Sequence, residues 1–194
     1  MIAAENTALI LLAAGQSQRF GGERSKLDEP LAGRPLGLHP AETLAGIPFR
    51  ARAAIVRRCR IDYAAHGFAV IENRDVVADM ASSLRLGVAW ARAQGAGALL
   101  VALADMPCIT AAHVRRLLDA AEGGDAVVAS ASTGRPPRPP ALFGRDLFGR
   151  LLTLTGDHGA RDLIRAGRQV DASPAELADI DTPADLDALR RHMG

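Results

Sequence analysis

Short apolar runs recur along the chain, and the stretches between most of them have the pattern of amphipathic helices. The runs cover residues 8–14, 53–56, 68–71, 98–103 and 125–129. A short run that is apolar at nearly every position is typical of a strand buried on both faces of a parallel sheet. Alternation of such strands with helices predicts an α/β fold with a mostly parallel central sheet.

Three segments carry the clearest helical pattern: Ser82 to Gln94, Thr110 to Glu122 and Thr182 to His192. Thr110 and Thr182 are expected to cap the second and third helices, because a threonine hydroxyl accepts a hydrogen bond from a backbone N–H of the first turn.

The proline-rich segment 133–140 cannot form a regular helix, because proline lacks the backbone N–H and clashes with the preceding turn. We expect it to be a binding loop carried above the sheet rather than a linker between domains. The residues that follow it, 141–194, are too few for an independent core. The sequence therefore predicts a single domain over residues 1–194.

Composition excludes several classes of protein. Lys and Arg total 23 against 22 Asp and Glu, so the overall charge indicates neither a nucleic-acid partner nor an acidic membrane. The two cysteines are too few for a zinc site or a disulfide framework, which favours a reducing compartment. Without a signal-like start or an apolar run of the ~20 residues that span a bilayer, we expect a soluble, cytoplasmic protein.

The first predicted strand leads into a glycine-punctuated segment, 13–22. Such a loop at the carboxyl end of a parallel strand can direct backbone N–H groups at phosphate oxygens, and Arg19 and Lys26 add positive charge. A strand-to-helix turn with two solvated cations is the alternative. The segment lacks the Gly-Lys-Ser/Thr of the Walker loop and the G-x-G-x-x-G of dinucleotide sites.

Two aspartates are candidate metal ligands. Asp105 follows the apolar run 98–103 and precedes Met-Pro. A carboxylate at a strand end suits Mg2+, which binds through one or two carboxylates plus substrate phosphates. The alternative is a turn residue before the Thr110 helix. Asp181 could complete the site, or it could simply start the helix at Thr182.

Five segments together resemble one family. Residues 9–26 are similar to the L-x-A-A-G-x-S-x-R-x-G-x-x-K signature of nucleotidyltransferases related to sugar-nucleotide pyrophosphorylases. Residues 79–84, 138–144, 154–161 and 178–185 resemble the elements G-M-x-x-S-L, P-P-A-L-F, G-D-x-G-A-R and D-I-D-T-P-x-D. On these motifs the chain resembles the molybdenum cofactor cytidylyltransferase group, over nearly its whole length.

This resemblance implies a three-layer, Rossmann-like domain of the GT-A type. It implies Mg2+-dependent transfer of a cytidylyl group from CTP to the terminal phosphate of molybdopterin, with release of pyrophosphate. A molybdenum hydroxylase or its chaperone is the implied partner. Two alternatives stay open: guanylyl or other nucleotidyl transfer to molybdopterin or to a sugar or alcohol phosphate, and a non-catalytic accessory protein that binds the molybdenum cofactor.

The resemblance also implies roles for particular residues. The catalytic residues are Arg19, Lys26 and Asp105, and the metal ligands are Asp105 and Asp181. The nucleotide contacts are Ala13, Ala14, Gly15, Ser17, Ser82 and Ser83, and the acceptor contacts are Pro140, Asp157 and Arg161. Ser82 and Ser83 could equally cap their helix, and Arg24 is an alternative to Lys26 as the mobile phosphate contact.

Overall fold

The computed structural model describes residues 1–15, 17–20, 25–77, 79–156 and 160–193. The strands are β1 Thr7–Ala13, β2 Pro30–Leu31, β3 Arg34–Pro35, β4 Ala51–Val56, β5 Ala69–Glu72, β6 Ala98–Leu103, β7 Val127–Ser132, β8 Arg135–Gly144 and β9 Arg168–Asp171. The helices are α1 Leu38–Ala45, α2 Met80–Ala93, α3 Ala111–Ala120, α4 Phe148–Leu152, α5 Arg161–Ala166 and α6 Pro183–Met193. Within these ranges, no helix is both long and apolar enough to cross a membrane.

A seven-stranded sheet lies at the centre, with the strand order β5-β4-β1-β6-β8-β7-β9. Strand β1 pairs in parallel with β4 and β6, and β4 pairs in parallel with β5. Strand β8 runs antiparallel to its neighbours β6 and β7. The predicted mostly parallel sheet is confirmed.

Helices cover both faces of this sheet. Leu9 and Leu11 of β1 pack on the face covered by α1 and α3, whereas Ala8 and Ile10 pack on the face covered by α2, α4 and α5. Helix α2 approaches β1 closely at Gly87, where a Cβ would lie 2.4 Å from the Ile10 Cδ1 atom. The result is the three-layer, Rossmann-like arrangement that the sequence predicts.

The predicted helices are observed with small shifts at their ends. The side chain of Thr110 caps α3 by accepting a hydrogen bond from the backbone N–H of His113. Helix α2 begins at Met80, two residues before the predicted start, and its cap is the carboxylate of Asp79, which accepts from the Ser82 N–H at 2.7 Å. The alternative that Ser82 or Ser83 caps this helix is therefore not observed.

The proline-rich segment differs from the prediction. Residues 133–140 were expected to form a loop, but residues 135–140 belong to strand β8. Proline is excluded from a helix interior but fits an extended strand wherever no ladder donor is needed. The β7–β8 pairing shifts register between Ala129 and Ser130 and again between Ser130 and Ser132, opposite the prolines. The prediction that this segment forms no helix is confirmed, but its irregular strand was not predicted.

A two-residue turn joins β2 to β3 and offers a test of backbone strain. Ala32 and Gly33 both have positive φ, 46° and 80°, as a type I′ hairpin turn requires. Because alanine is disfavoured there, Ala32→Asn should raise the free energy of unfolding by about 0.5–1 kcal/mol in urea titrations. Gly33→Ala is the matched control and should lower it. A destabilised Ala32→Asn variant would contradict this account of the turn.

Candidate functional site

The central strands bring the predicted site residues to one edge of the sheet. Leu12 of β1 pairs with Leu103 of β6, and the Ala104 N–H donates to the Leu12 carbonyl at 3.0 Å. The segment after β1 and Asp105 after β6 therefore leave the sheet side by side. This is the edge at which open α/β sheets bind ligands.

Lys26 is a cation buried within this edge. It begins a single turn of 3-10 helix, Lys26–Asp28, which Ser25 caps through its hydroxyl. Only 10% of the Lys26 side chain is exposed. Its Nζ donates to the Ile180 carbonyl at 2.6 Å, and it lies 2.8 Å from Asp105 Oδ2 and 3.1 Å from Asp181 Oδ1. Three oxygen atoms thus surround the ammonium group.

The charges of this cluster shift the pKa values of its members. Burial by itself lowers the pKa of Lys26, but the charges and hydrogen bonds of Asp105 and Asp181 outweigh it and raise the pKa above its ordinary value. Burial raises the pKa of Asp105; Lys26 opposes this effect, and the neighbouring carboxylates of Asp179 and Asp181 add to it. Lys26 is therefore firmly protonated.

Asp181 links the buried lysine to a more exposed arginine. Its Oδ2 lies 3.1 Å from Arg19 Nη1, and the side chains of Asp181 and Arg19 are 45% and 69% exposed. The cap of helix α6 is instead formed by Thr182 and Asp185, because the Thr182 N–H donates to Asp185 Oδ2 and the Asp185 N–H donates to Thr182 Oγ1. The Asp181 carboxylate is thereby left to face the cations.

Asp105 has one oxygen atom without a partner. Its Oδ1 is buried and accepts no hydrogen bond from any described residue. A buried carboxylate oxygen in this condition is costly unless a ligand completes it. The described residues contain no group of three or more His, Cys, Asp or Glu side chains that could hold a metal ion by themselves. Asp105 and Asp181 are the two carboxylates beside Lys26, and carboxylate oxygens of this kind can bind a hard cation together with phosphate and water.

The segment after β1 lines a cavity of about 470 Å3. Ala13, Ala14, Gly15, Ser17 and Lys26 contribute to its wall. Ser17 has a positive φ of 50°, and its hydroxyl accepts from the Lys26 backbone N–H at 3.0 Å. This bond fixes Ser17 against the lysine. We refer to this space as the phosphate-loop cavity.

The two predicted serines of α2 have different surroundings. Ser83 lines the phosphate-loop cavity, whereas Ser82 is buried away from it. The amide of Asn73 donates to both hydroxyls, at 3.0 Å to Ser82 and 2.8 Å to Ser83. Asn73 was missed by sequence reasoning, although an Asn between a strand and a helix is a signal for such a bond. Its role is to hold α2 against the end of β5.

A second cavity of about 600 Å3 lies beside the first. Its wall combines apolar side chains with Arg135, Arg138, Arg161 and Arg165. Of the predicted acceptor contacts, Arg161 lines this cavity, whereas Pro140 is buried and does not line it. The third, Asp157, lies outside the described residues. Arg24, the alternative to Lys26, also lies outside them. We refer to this space as the arginine cavity.

An ion pair across the arginine cavity was not predicted. Arg138 Nη2 lies 2.6 Å from Asp179 Oδ2, and both side chains are mostly buried. Arg138 comes from β8 and Asp179 from the segment before α6, so the pair joins residues far apart in the chain. Arg138 lies in the motif of residues 138–144, but only the fold identifies Asp179 as its partner.

The two cavities meet at a common wall. The shared residues are Leu12, Met80, Leu103, Asp105 and Arg161. A molecule in either cavity can therefore approach both Asp105 and Arg161. This arrangement suits a reaction between two phosphorylated molecules, one held in each cavity.

Comparisons with known proteins agree with this geometry. Residues 9–172 match the MobA-like NTP transferase domain. The purine catabolism protein PucB of Bacillus subtilis (strain 168) is 30% identical over an alignment of 201 residues that covers 95% of this chain and 96% of PucB.

Solved structures share the fold. A nucleotidyl transferase from Methanothermobacter thermautotroptrophicus (Mth528) has a TM-score of 0.74 and 26% identity, covering 96% of each chain. The complex of Rv0371C with manganese from Mycobacterium tuberculosis H37Rv has a TM-score of 0.72 and 23% identity, covering 98% of this chain and 100% of that one. The family match covers most of the sequence, and PucB has nearly the same length. The protein therefore belongs to the MobA-like NTP transferase family, whose activity is nucleotidyl transfer.

Proposed function

We propose that this protein transfers a cytidylyl group from CTP to the terminal phosphate of molybdopterin and releases pyrophosphate. The observation that carries the proposal is the common wall of the two cavities, which contains Asp105 and Arg161. CTP occupies the phosphate-loop cavity and molybdopterin occupies the arginine cavity. The acceptor phosphate then lies beside the α-phosphorus of the nucleotide.

The reaction is a displacement at phosphorus. An oxygen of the acceptor phosphate forms a bond to the α-phosphorus of CTP, the bond from that phosphorus to the bridging β-oxygen breaks, and pyrophosphate leaves with the electron pair. A phosphate nucleophile is already ionised near neutral pH, so no general base is needed. In agreement, no histidine among the described residues lines either cavity.

The side chains of the site act mainly through charge and position. Lys26 lines the phosphate-loop cavity and Arg19 shares the carboxylate of Asp181 with it, so both cations stabilise the negative charge that accumulates on the departing pyrophosphate. Arg161 orients the acceptor phosphate, since a guanidinium group can grip two oxygens at once. Ser17 keeps the loop in register with Lys26 through its hydroxyl.

We propose Mg2+ as the metal, held by Asp105 and Asp181. The unpartnered Oδ1 of Asp105 supports this assignment, and the related Rv0371C has been crystallised with manganese, an ion of similar coordination chemistry. When bound, Mg2+ would neutralise negative charge on the phosphate groups. We also propose that the single domain of residues 1–194 carries the whole activity.

The choice of nucleotide and acceptor rests on finer features. Ala13-Ala14-Gly15 and the Pro-Pro-Ala-Leu-Phe run resemble the cytidylyl branch of the family. The arginine cavity combines apolar walls with cationic groups, which suits a flat heterocycle that carries a phosphate. PucB is named for purine catabolism, which is consistent with a molybdenum hydroxylase, or its chaperone, as the recipient of the product.

Pyrophosphate release tests the proposal. CTP, GTP, ATP and UTP are each supplied with Mg2+, with and without molybdopterin, and pyrophosphate is quantified. We expect release from CTP only, and only with molybdopterin. Release from GTP would assign guanylyl transfer, and release with a sugar or alcohol phosphate in place of molybdopterin would reassign the acceptor. Release no greater than in the protein-free control would favour a non-catalytic cofactor-binding protein.

A further inference from the structure

Strand β8 carries a bulge beside the arginine cavity. Ala129 of β7 pairs with Ala141, but the next residue of β7, Ser130, pairs with Arg138. Pro139 and Pro140 therefore have no residue opposite them. Such a bulge redirects the side chains near it, and the prolines cannot donate ladder hydrogen bonds to hold its shape. The shape of the bulge therefore depends on contacts other than ladder hydrogen bonds donated by these prolines.

The hydroxyl of Ser130 bonds to this bulge directly. Ser130 Oγ donates to the Pro140 carbonyl at 2.7 Å, and it lies 2.7 Å from His113 Nε2. Both Ser130 and His113 are fully buried. His113 of α3 thus contacts Ser130 of β7, and Ser130 in turn bonds to the Pro140 carbonyl of β8.

The donors and acceptors of this network have one consistent arrangement. Arg116 can only donate, so His113 Nδ1, 2.9 Å from its Nη2, accepts. The His113 Nε2–H then donates to Ser130, whose own proton goes to Pro140. Burial lowers the pKa of His113, which agrees with a neutral ring. Arg116 is itself anchored on the Asp171 carbonyl at 3.2 Å.

The bulge determines what β8 presents to the arginine cavity. Arg138 and Pro139 line that cavity, whereas Pro140, held by Ser130, does not. Arg138 reaches Asp179 from this position, with its Nη2 2.6 Å from Oδ2. A change in the bulge would move the guanidinium relative to the cavity wall.

We propose that Ser130, supported by His113, is a positioning residue for the acceptor: it holds the Pro139–Pro140 bulge so that Arg138 faces the molecule in the arginine cavity. This inference rests on the proposed function only in assigning that cavity to the acceptor. Neither residue touches substrate, so the network should govern acceptor binding and leave the phosphate-loop cavity unaffected.

Ser130→Ala tests the network, with Ser132→Ala as the matched control. Ser132 is a buried serine of the same strand whose hydroxyl has no hydrogen-bond partner among the described residues. In transfer assays with CTP and molybdopterin, Ser130→Ala should raise the acceptor KM about tenfold with little change in the nucleotide KM. Ser132→Ala should leave both values unchanged. His113→Gln retains a donor toward Ser130, so its acceptor KM should lie between these two.

Crystal structures of the two serine variants give a readout that does not depend on activity. We expect the Arg138–Asp179 contact to be lost or displaced in Ser130→Ala and retained in Ser132→Ala. An undisturbed contact, or equal rises in acceptor and nucleotide KM, would overturn the positioning role. If Ser130→Ala does not fold, the same criteria apply to His113→Leu, which removes the donor. A wild-type protein without transferase activity would refute the proposed function, while these structures would still decide the role of Ser130.

Discussion

Asp105→Asn should lower kcat by about a hundredfold or more and leave the protein folded. Asparagine fills the same space but removes the negative charge that pairs with Lys26 at 2.8 Å and that we propose as a ligand of Mg2+. The fold should tolerate the change, because Lys26 keeps its contacts with Ile180 and Asp181. The free energy of unfolding is expected to fall by about 1–3 kcal/mol, less than for removal of Lys26, because the lysine keeps two oxygen partners. Pyrophosphate release and urea titration measure the two quantities.

Asp187→Asn is the matched control for this variant. Asp187 lies on α6, is largely exposed and pairs with Arg190 three residues later. Exposed pairs of this kind contribute little to stability, so both turnover and unfolding should match wild type. Undiminished turnover in Asp105→Asn would remove Asp105 from the mechanism, whereas loss of turnover in both variants would point to a general effect of removing acidic charge.

Lys26→Met is expected to abolish turnover and also to destabilise the fold. The ammonium group is buried among Asp105, Asp181 and the Ile180 carbonyl, so its removal leaves the Asp105 charge buried without a partner. Breaking a buried pair in this way costs about 3–5 kcal/mol. Arg19→Met removes the other cation of the network, but its side chain is exposed, so its stability cost should be about 0–1 kcal/mol.

The destabilisation of Lys26→Met should depend on pH. Lys26 lowers the pKa of Asp105, so without it the folded-state pKa lies even further above the unfolded value. The folded state then binds more protons than the unfolded state, and stability falls as pH rises through this range. The loss relative to wild type should therefore be larger at about pH 8 than at about pH 5. A loss that is equal at both pH values would mean that Asp105 does not carry the unpaired charge.

The central sheet could be predicted because its signals are local. Strand β1 is buried at almost every position, and its sequence is correspondingly apolar from Ala8 onward. Thr110 at the start of α3 could be identified because a cap bonds only to the next few residues. The positions of Ala13, Gly15 and Asp105 at one edge follow from parallel pairing, since carboxyl ends of parallel strands lie together.

Contacts between distant parts of the chain could not be predicted in the same way. The Ile180 carbonyl that binds Lys26 and the Asp179 carboxylate that binds Arg138 depend on how the segment before α6 returns to the sheet. No local sequence pattern predicts where the segment before α6 contacts the sheet. The strand character of residues 135–144 was missed because four prolines obscure the alternation that normally indicates a strand, and only pairing with β6 and β7 stabilises the extended form.

The central claim is that a nucleotide and a phosphorylated acceptor react across the wall that contains Asp105 and Arg161. Mass spectrometry of the wild-type reaction products tests this claim most directly. CTP and molybdopterin are incubated with the protein and Mg2+, and the molecular masses of the products are determined. We predict one product in which the molybdopterin phosphate is joined to CMP through a new phosphoanhydride bond, formed in equal amount with pyrophosphate. Recovery of unchanged molybdopterin, with CTP either intact or merely hydrolysed, would contradict the account.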